Sequence, residues 1–317
     1  QISYIEERGV YLLKRGSELQ FKALTVDENG QELLADDVQW VLDDYSAQYL
    51  NVASDGTVSV KLSAPNMMCN VSLFGMADGV AGEVIHIVLA KEISTVSDFE
   101  AIRDNYYGYY VLRNDIDFNY SSGDLALFEP FPVFYGILDG NGHQLRNIMF
   151  DTKSEATDYG MILHNYGDIR NLTLQTSISF YDSLGKGVRY VGGITAINSG
   201  TLYNCTVSSA KYFYVANENS YVGGLAGLNE GLITESRCYM IIFGDKYAGG
   251  IAGKNTGTVE YCANLRNLFV DEKNDETGVS GIVGDNSGTV TDSAHFAEVY
   301  VGLDDFNFSE EHEDIAA

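Results

Sequence analysis

The stretch "AGGIAGKNTG", residues 248–257, decides the fold. Five of its ten residues are Gly or Asn, and a Lys follows a glycine-rich run. It reads either as a phosphate cradle or as punctuation in a repeat. A phosphate loop needs Lys followed by Ser or Thr, at a strand-to-helix junction. Here Asn255 follows Lys254, and no helix pattern comes after it.

The repeat is found by aligning every Asn-x-Gly downstream of residue 160. The Asn positions are Asn165, Asn198, Asn229, Asn255 and Asn286, spaced 33, 31, 26 and 31 residues apart. Gly stands five residues before each: Gly160, Gly193, Gly224, Gly250 and Gly281. An apolar residue follows that Gly, and an aliphatic stands four after the Asn: Ile169, Leu202, Ile233, Val259 and Val290. Units this short, with two or three strands each, cannot bury a face alone. Stacking them gives a parallel β-solenoid in which equivalent residues form ladders. The aliphatic columns then make the core. The Gly columns supply positive φ or let backbones approach closely. The Asn column forms a ladder of side-chain amides.

The cysteines fit the same frame. Cys205 and Cys262 share a column with Leu172, Ser236 and Ser293, two coils apart. At about 4.8 Å per coil that is roughly 10 Å between Cα atoms, too far for a disulfide. All four Cys are expected to be free and buried. "GGLAGLNEG" at 223–231, with "GGIAGKNTG" at 249–257 and "SGIVGDNSG" at 280–288, resembles the GLUG repeat family. "GGITAINSG" at 192–200 and "YGMILHNYG" at 159–167 depart from it. The resemblance covers about residues 160–295. It implies a right-handed β-helix in secreted or surface-attached bacterial proteins, many of them adhesins, and carries no catalytic motif.

Upstream, residues 1–92 read as short strands of period two: Val58, Val60 and Leu62; Cys69, Val71 and Leu73; Ile85, Ile87 and Leu89. Turn signals such as Glu28-Asn29-Gly30 and Ser54-Asp55-Gly56 separate them. The pattern points to an antiparallel sandwich. "VQWVLDD" and "YLNVASDGTVSV" resemble bacterial immunoglobulin-like domains, which implies a stalk or spacer. Ser97-Asp98-Phe99-Glu100 reads as a capping box that opens a short helix over about 97–105 and closes the solenoid end. The match of Leu145-Arg146-Asn147 to Ile169-Arg170-Asn171 places the solenoid start well before residue 160. The expected organisation is all-β: a sandwich at 1–92, a right-handed β-helix at 93–302, and an acidic tail or cap at 303–317.

The formal charge is −26 over 317 residues. Such a charge repels phosphate backbones and anionic lipid, so nucleic acid and direct membrane insertion are not expected as partners. No signal peptide is visible and residue 1 is Gln. The chain thus reads as processed or trimmed, and the missing signal says nothing about compartment.

For catalysis, the carboxylates Asp115, Asp117 and Asp139 are the best candidates. Asp115 and Asp117 would share one strand face, and Asp139-Gly140-Asn141-Gly142 is a turn by composition. For binding, "NYYGYY" and "KYFYV" bring tyrosines together: Tyr106, Tyr107, Tyr109, Tyr110, Tyr212 and Tyr214. Exposed aromatics stack on sugars or anchor protein contacts. The five His show no metal-ligand spacing, and no cofactor is expected. The reading is a monomeric, non-enzymatic adhesion protein of a bacterial cell surface, presenting a repetitive β-helix on an Ig-like stalk. Its partner would be a host or matrix glycan or a surface protein. A polysaccharide lyase or hydrolase, or a structural spacer, are the alternatives.

Overall fold

The structure is a computed structural model describing residues 3–5, 10–118, 128–149, 158–176, 179–180, 190–209, 213–215, 220–244, 247–270 and 278–301. The acidic segment 303–317 lies outside them. The described residues are all-β with a solenoid and one short α-helix, and the chain divides into two compact units. One is Gln1–Ile93 with Gly108–Arg113; the other is Ser94–Tyr107 with Asn114–Ala317.

The first unit draws one core from two sheets. Val58 and Val60 alternate inward on Thr57–Val60, as do Cys69, Val71 and Leu73 on Cys69–Ala77. The strand stops at Val60, so Leu62 is exposed and not part of the alternation. The larger sheet is not purely antiparallel: Val10–Leu13 runs parallel to Ile85–Leu89, with Ile87 level with Tyr11. A parallel pair needs a long crossover, and here the whole unit between the two strands supplies it. Glu92 is buried and accepts from Arg15 Nε at 2.9 Å and from Arg113 Nη1 at 2.8 Å. Burial alone would push its carboxyl up; the two guanidiniums outweigh that and hold it below the usual range.

The second unit opens with a helix, Val96–Glu100, continued by a 3-10 turn, Ala101–Asp104. Its N-cap is Thr95, two residues before the expected Ser97. Thr95 Oγ1 accepts from Asp98 N at 3.1 Å, and Asp98 Oδ2 accepts from Thr95 N at 3.0 Å. Phe99 then packs among Phe118, Phe128 and Phe131, at centroid distances of 5.4–5.8 Å.

Each full coil holds five very short parallel strands, not two or three. The coil Tyr221–Gly223, Ala226–Asn229, Leu232–Thr234, Arg237–Tyr239 and Ile242–Gly244 shows it. Strands start every five or six residues, leaving two-residue corners. Five parallel sheets follow, one per side. Ile169, Leu202, Ile233 and Val259 stack in one sheet, and Leu174, Val207 and Cys238 in the next, all fully buried. Leu138, not Leu145, is level with Ile169; Leu145 lies in the neighbouring sheet between Ile116 and Leu174. Asp158 and Tyr159 pair with Tyr190 and Val191, so this coil runs one residue short and Gly160 falls level with Gly192.

None of the repeat glycines has a positive φ. In the opening stretch, Gly249, Gly250, Gly253 and Gly257 are all close-approach positions. A Cβ on any of them would drive into the backbone of the same or an adjacent coil. The left-handed column lies elsewhere, six residues after each Asn: Asn171, Asn204, Glu235, Tyr261 and Asp292, with φ of 47–53°. Asn tolerates this region and Tyr does not, so Tyr261 is strained by roughly 1 kcal/mol. Tyr261→Asn is expected to raise solenoid stability by about 0.5–1 kcal/mol in urea unfolding. Tyr239→Asn, also exposed but on an extended strand, gains nothing; equal shifts for the two would refute the strain.

The thiols are structural. Cys205, Cys238 and Cys262 are buried and free, and burial pushes them up to about 12, about 12 and about 11. Cys205 N donates to Ser236 Oγ at 3.0 Å and Cys262 N to Ser293 Oγ at 3.1 Å, so Cys and Ser alternate along one ladder.

Candidate functional site

In a strand of three residues, one side chain points in and its neighbours point out. Tyr190-Val191-Gly192 buries Val191 and turns Tyr190 outward. Tyr221-Val222-Gly223 and Tyr247-Ala248-Gly249 repeat the pattern in register. The three tyrosines form a half-buried row, with stacked rings 5.6 and 4.5 Å apart. The adjacent sheet faces outward with Ile197, Leu228, Lys254 and Asp285 in register. Lys254 Nζ sits 5.1 Å from the Tyr221 ring centre and 2.9 Å from Asp285 Oδ2. The bond to Asp285 raises the Lys254 ammonium above its ordinary value, and burial raises the Tyr221 phenol. The face is thus amphipathic, with aromatic edges and hydroxyls beside one ion pair.

A second row runs along the next corner. Tyr107, Tyr135 and Tyr166 stack at 4.6 and 5.0 Å, and the His164 ring lies 4.1 Å from Tyr166. Tyr107 is 65 % exposed, so the row ends on an open ring. His164 Nε2 lies 2.9 Å from Ser199 Oγ, which donates to Glu230 Oε2 at 2.7 Å. Burial lowers the His164 imidazole, partly offset by Glu230 and Asp158. Because the Ser199 proton goes to Glu230, Nε2 donates to Ser199. A histidine activating a serine does the opposite, taking its proton. Phe243, Phe269 and Tyr300 form a third row at 4.6 and 4.8 Å.

The expected tyrosines separate. Tyr107 is exposed and Tyr106 half-buried, its ring edge-on to Phe131 at 6.0 Å. Tyr109 and Tyr110 are buried, at 7 % and 3 % exposure, so neither offers a ring to a ligand. They lie on the strand Tyr109–Leu112, every residue of which is buried. Tyr212 lies outside the described residues, and of Tyr214 only the backbone is described, level with Phe243. The row at 190, 221 and 247 was missed in the sequence, although Tyr-x-Gly-Gly recurs there at the same 31- and 26-residue spacing as the Asn column.

The Asn ladder runs through four amide links of 2.8–2.9 Å from Asn165 to Asn286. Asn165, Asn198, Asn229 and Asn255 are fully buried.

Each candidate acid is engaged. Asp115 precedes the two-residue strand Ile116–Asp117, and its carboxylate accepts from Gln144 N at 3.1 Å and pairs with Arg146 at 3.2 Å. Asp117 accepts from Asn147 Nδ2 at 2.7 Å. Asp139 lies in a different sheet, buried, and caps the turn by accepting from Asn141 N at 2.7 Å and Asn171 Nδ2 at 3.1 Å. Among the described residues no cluster of three or more His, Cys, Asp or Glu could hold a metal. No helix among them is long and apolar enough to cross a membrane.

No family model matches the chain. It is 32 % identical over 166 residues to Halomucin of Haloquadratum walsbyi, covering 46 % of this chain. The match spans only 2 % of Halomucin's length. Among solved structures, an IgA1 Protease is similar at a TM-score of 0.44 and 13 % identity, over 92 % of this chain and 28 % of that one.

Proposed function

We propose that this chain is a non-enzymatic contact module of a secreted or cell-surface repeat protein, and that the outward tyrosine rows of its solenoid are the contact surface. The observation that carries the reading is the row Tyr190, Tyr221 and Tyr247 beside Lys254 and Asp285. Stacked rings are already ordered, so a partner loses little side-chain entropy on meeting them. Their faces cover one another, leaving edges and hydroxyls for a partner: a polar, repetitive strip suited to an extended glycan or to a protein surface. The likeness to Halomucin supports a surface-exposed repeat protein, here with GLUG-like coils and an Ig-like first unit. The structural bonds that engage Asp115, Asp117 and Asp139 support the non-enzymatic reading.

The test is binding of the whole chain to a glycan array and to immobilised extracellular-matrix proteins, with polysaccharide chain length followed in parallel. Saturable binding is expected, weakened at least tenfold by the double change Tyr221→Ala and Tyr247→Ala. Unchanged binding in that variant would remove the row from the function. Chain shortening that Asp139→Asn abolishes would overturn the non-enzymatic reading.

A further inference from the structure

The first unit carries a cleft unrelated to the solenoid rows. It has a volume of about 680 Å³ and is walled by Trp40 and Phe21, with ring centroids 6.4 Å apart. That size suits a small ligand of one or two rings. The indole packs against two small residues. A Cβ at Gly56 would lie 3.0 Å from Trp40 Cε2, and one at Gly75 3.3 Å from Cζ3. Trp40 is also held on its strand opposite Gly75.

The polar rim is mixed. Lys22, Asp36, Asp37, Gln39 and Ser54 line the cleft, and none makes a side-chain hydrogen bond or ion pair within the described residues. Asp37 is held at φ 52°, a conformation that costs free energy and fixes its position on the rim. Asp55, by contrast, is used up holding Thr57 N at 2.9 Å.

We infer that this cleft binds a neutral saccharide. An aromatic wall covers the C–H face of a sugar ring, while its hydroxyls both donate and accept. The rim answers with acceptors at Asp36 and Asp37, a donor at Lys22, and groups of both kinds at Gln39 and Ser54. An anion meets the carboxylates of Asp36, Asp37 and Asp55, so the rim selects against negative charge, while the donor at Lys22 and the acceptors beside it suit hydroxyls, which do both.

Trp40 is the chain's only Trp and reports on the cleft directly. The experiment titrates the full chain with maltose, cellobiose, lactose and chitobiose, following Trp fluorescence and, independently, heat by calorimetry. At least one sugar is expected to give a saturable change in both, weakened tenfold or more by Gln39→Ala and by Asp37→Asn. Both variants sit on exposed positions, and a thermal melt checks that they fold. Tyr221→Ala is expected to leave the titration unchanged, which separates this cleft from the solenoid surface. Choline chloride and inorganic phosphate serve as charged probes. Saturation by either one, no saturation by any of the four sugars, or sugar binding indifferent to Gln39→Ala and Asp37→Asn would overturn the inference.

Discussion

Asn229→Ala is expected to destabilise the solenoid by about 3–5 kcal/mol. Asn229 sits in the middle of the amide ladder at 0 % exposure. Its Oδ1 accepts from Asn198 Nδ2 at 2.8 Å. Its Nδ2 donates to Asn255 Oδ1 at 2.8 Å and to the backbone oxygens of Thr258 at 3.0 Å and Gly231 at 3.2 Å. Truncation breaks these links and leaves the Asn255 oxygen facing a dry space without a donor. Each buried group so stranded costs about 1–3 kcal/mol. Asn229→Asp is worse, because a carboxylate oxygen replaces the donor and opposes the Asn255 oxygen. The internal control is Asn286→Ala. Asn286 is exposed on the last described coil, where water replaces what is lost, and a cost of about 1 kcal/mol is expected. Urea unfolding followed by circular dichroism reads the solenoid, while Trp40 fluorescence reads the first unit alone. Equal midpoints for the Asn229 and Asn286 variants would show that the ladder is decoration.

The ladders were legible in the sequence because stacking imposes one requirement on every coil. An amide bonds best to the same amide above it, and Ile233 packs best on Leu202 and Val259, so these columns keep their residue type. The five strands per coil were not legible. A strand of three residues has one inward position, as Val222 in Tyr221-Val222-Gly223, and one position cannot show a period. The left-handed column was invisible for a different reason. The neighbouring coils dictate φ there, and the sequence answers with Asn, Asn, Glu, Tyr and Asp, in which the Asn and Asp that favour this conformation are interrupted by Glu and Tyr. The tyrosine clusters misled in part because local density of an aromatic does not say which way it points. Tyr107 and Tyr109 are two residues apart, one exposed and one buried. The stacked row at 190, 221 and 247 is dense only in space, across coils, and the alternation of a single strand gives no hint of it.

Gly257→Ala tests the other half of the repeat's logic and is expected to cost about 3 kcal/mol or more. The residue has no need of a left-handed backbone, so its conservation of space is the whole argument. A Cβ built there would lie 2.6 Å from the Glu230 carbonyl carbon and collide with the Gly231 oxygen. These are backbone atoms of the preceding coil and cannot rotate away. Thr258 N donates to Gly231 O at 2.8 Å and Gly257 N to Asn229 O at 3.1 Å, so prying this corner apart strains bonds on both sides of the intruding methyl. The same collision recurs at Gly200 against Gly167, at Gly231 against Gly200 and at Gly288 against Gly257, so each coil is shaped to its neighbour at this corner. Thr256→Ala is the control, an exposed neighbour whose loss is expected to stay within about 0.5 kcal/mol. If Gly257→Ala unfolds at the wild-type urea midpoint, the coils must be free to separate at that corner. The tyrosine rows, whose ring spacing follows the coil spacing, would then be adjustable too, and a partner would meet a compliant surface where this structure presents a fixed one.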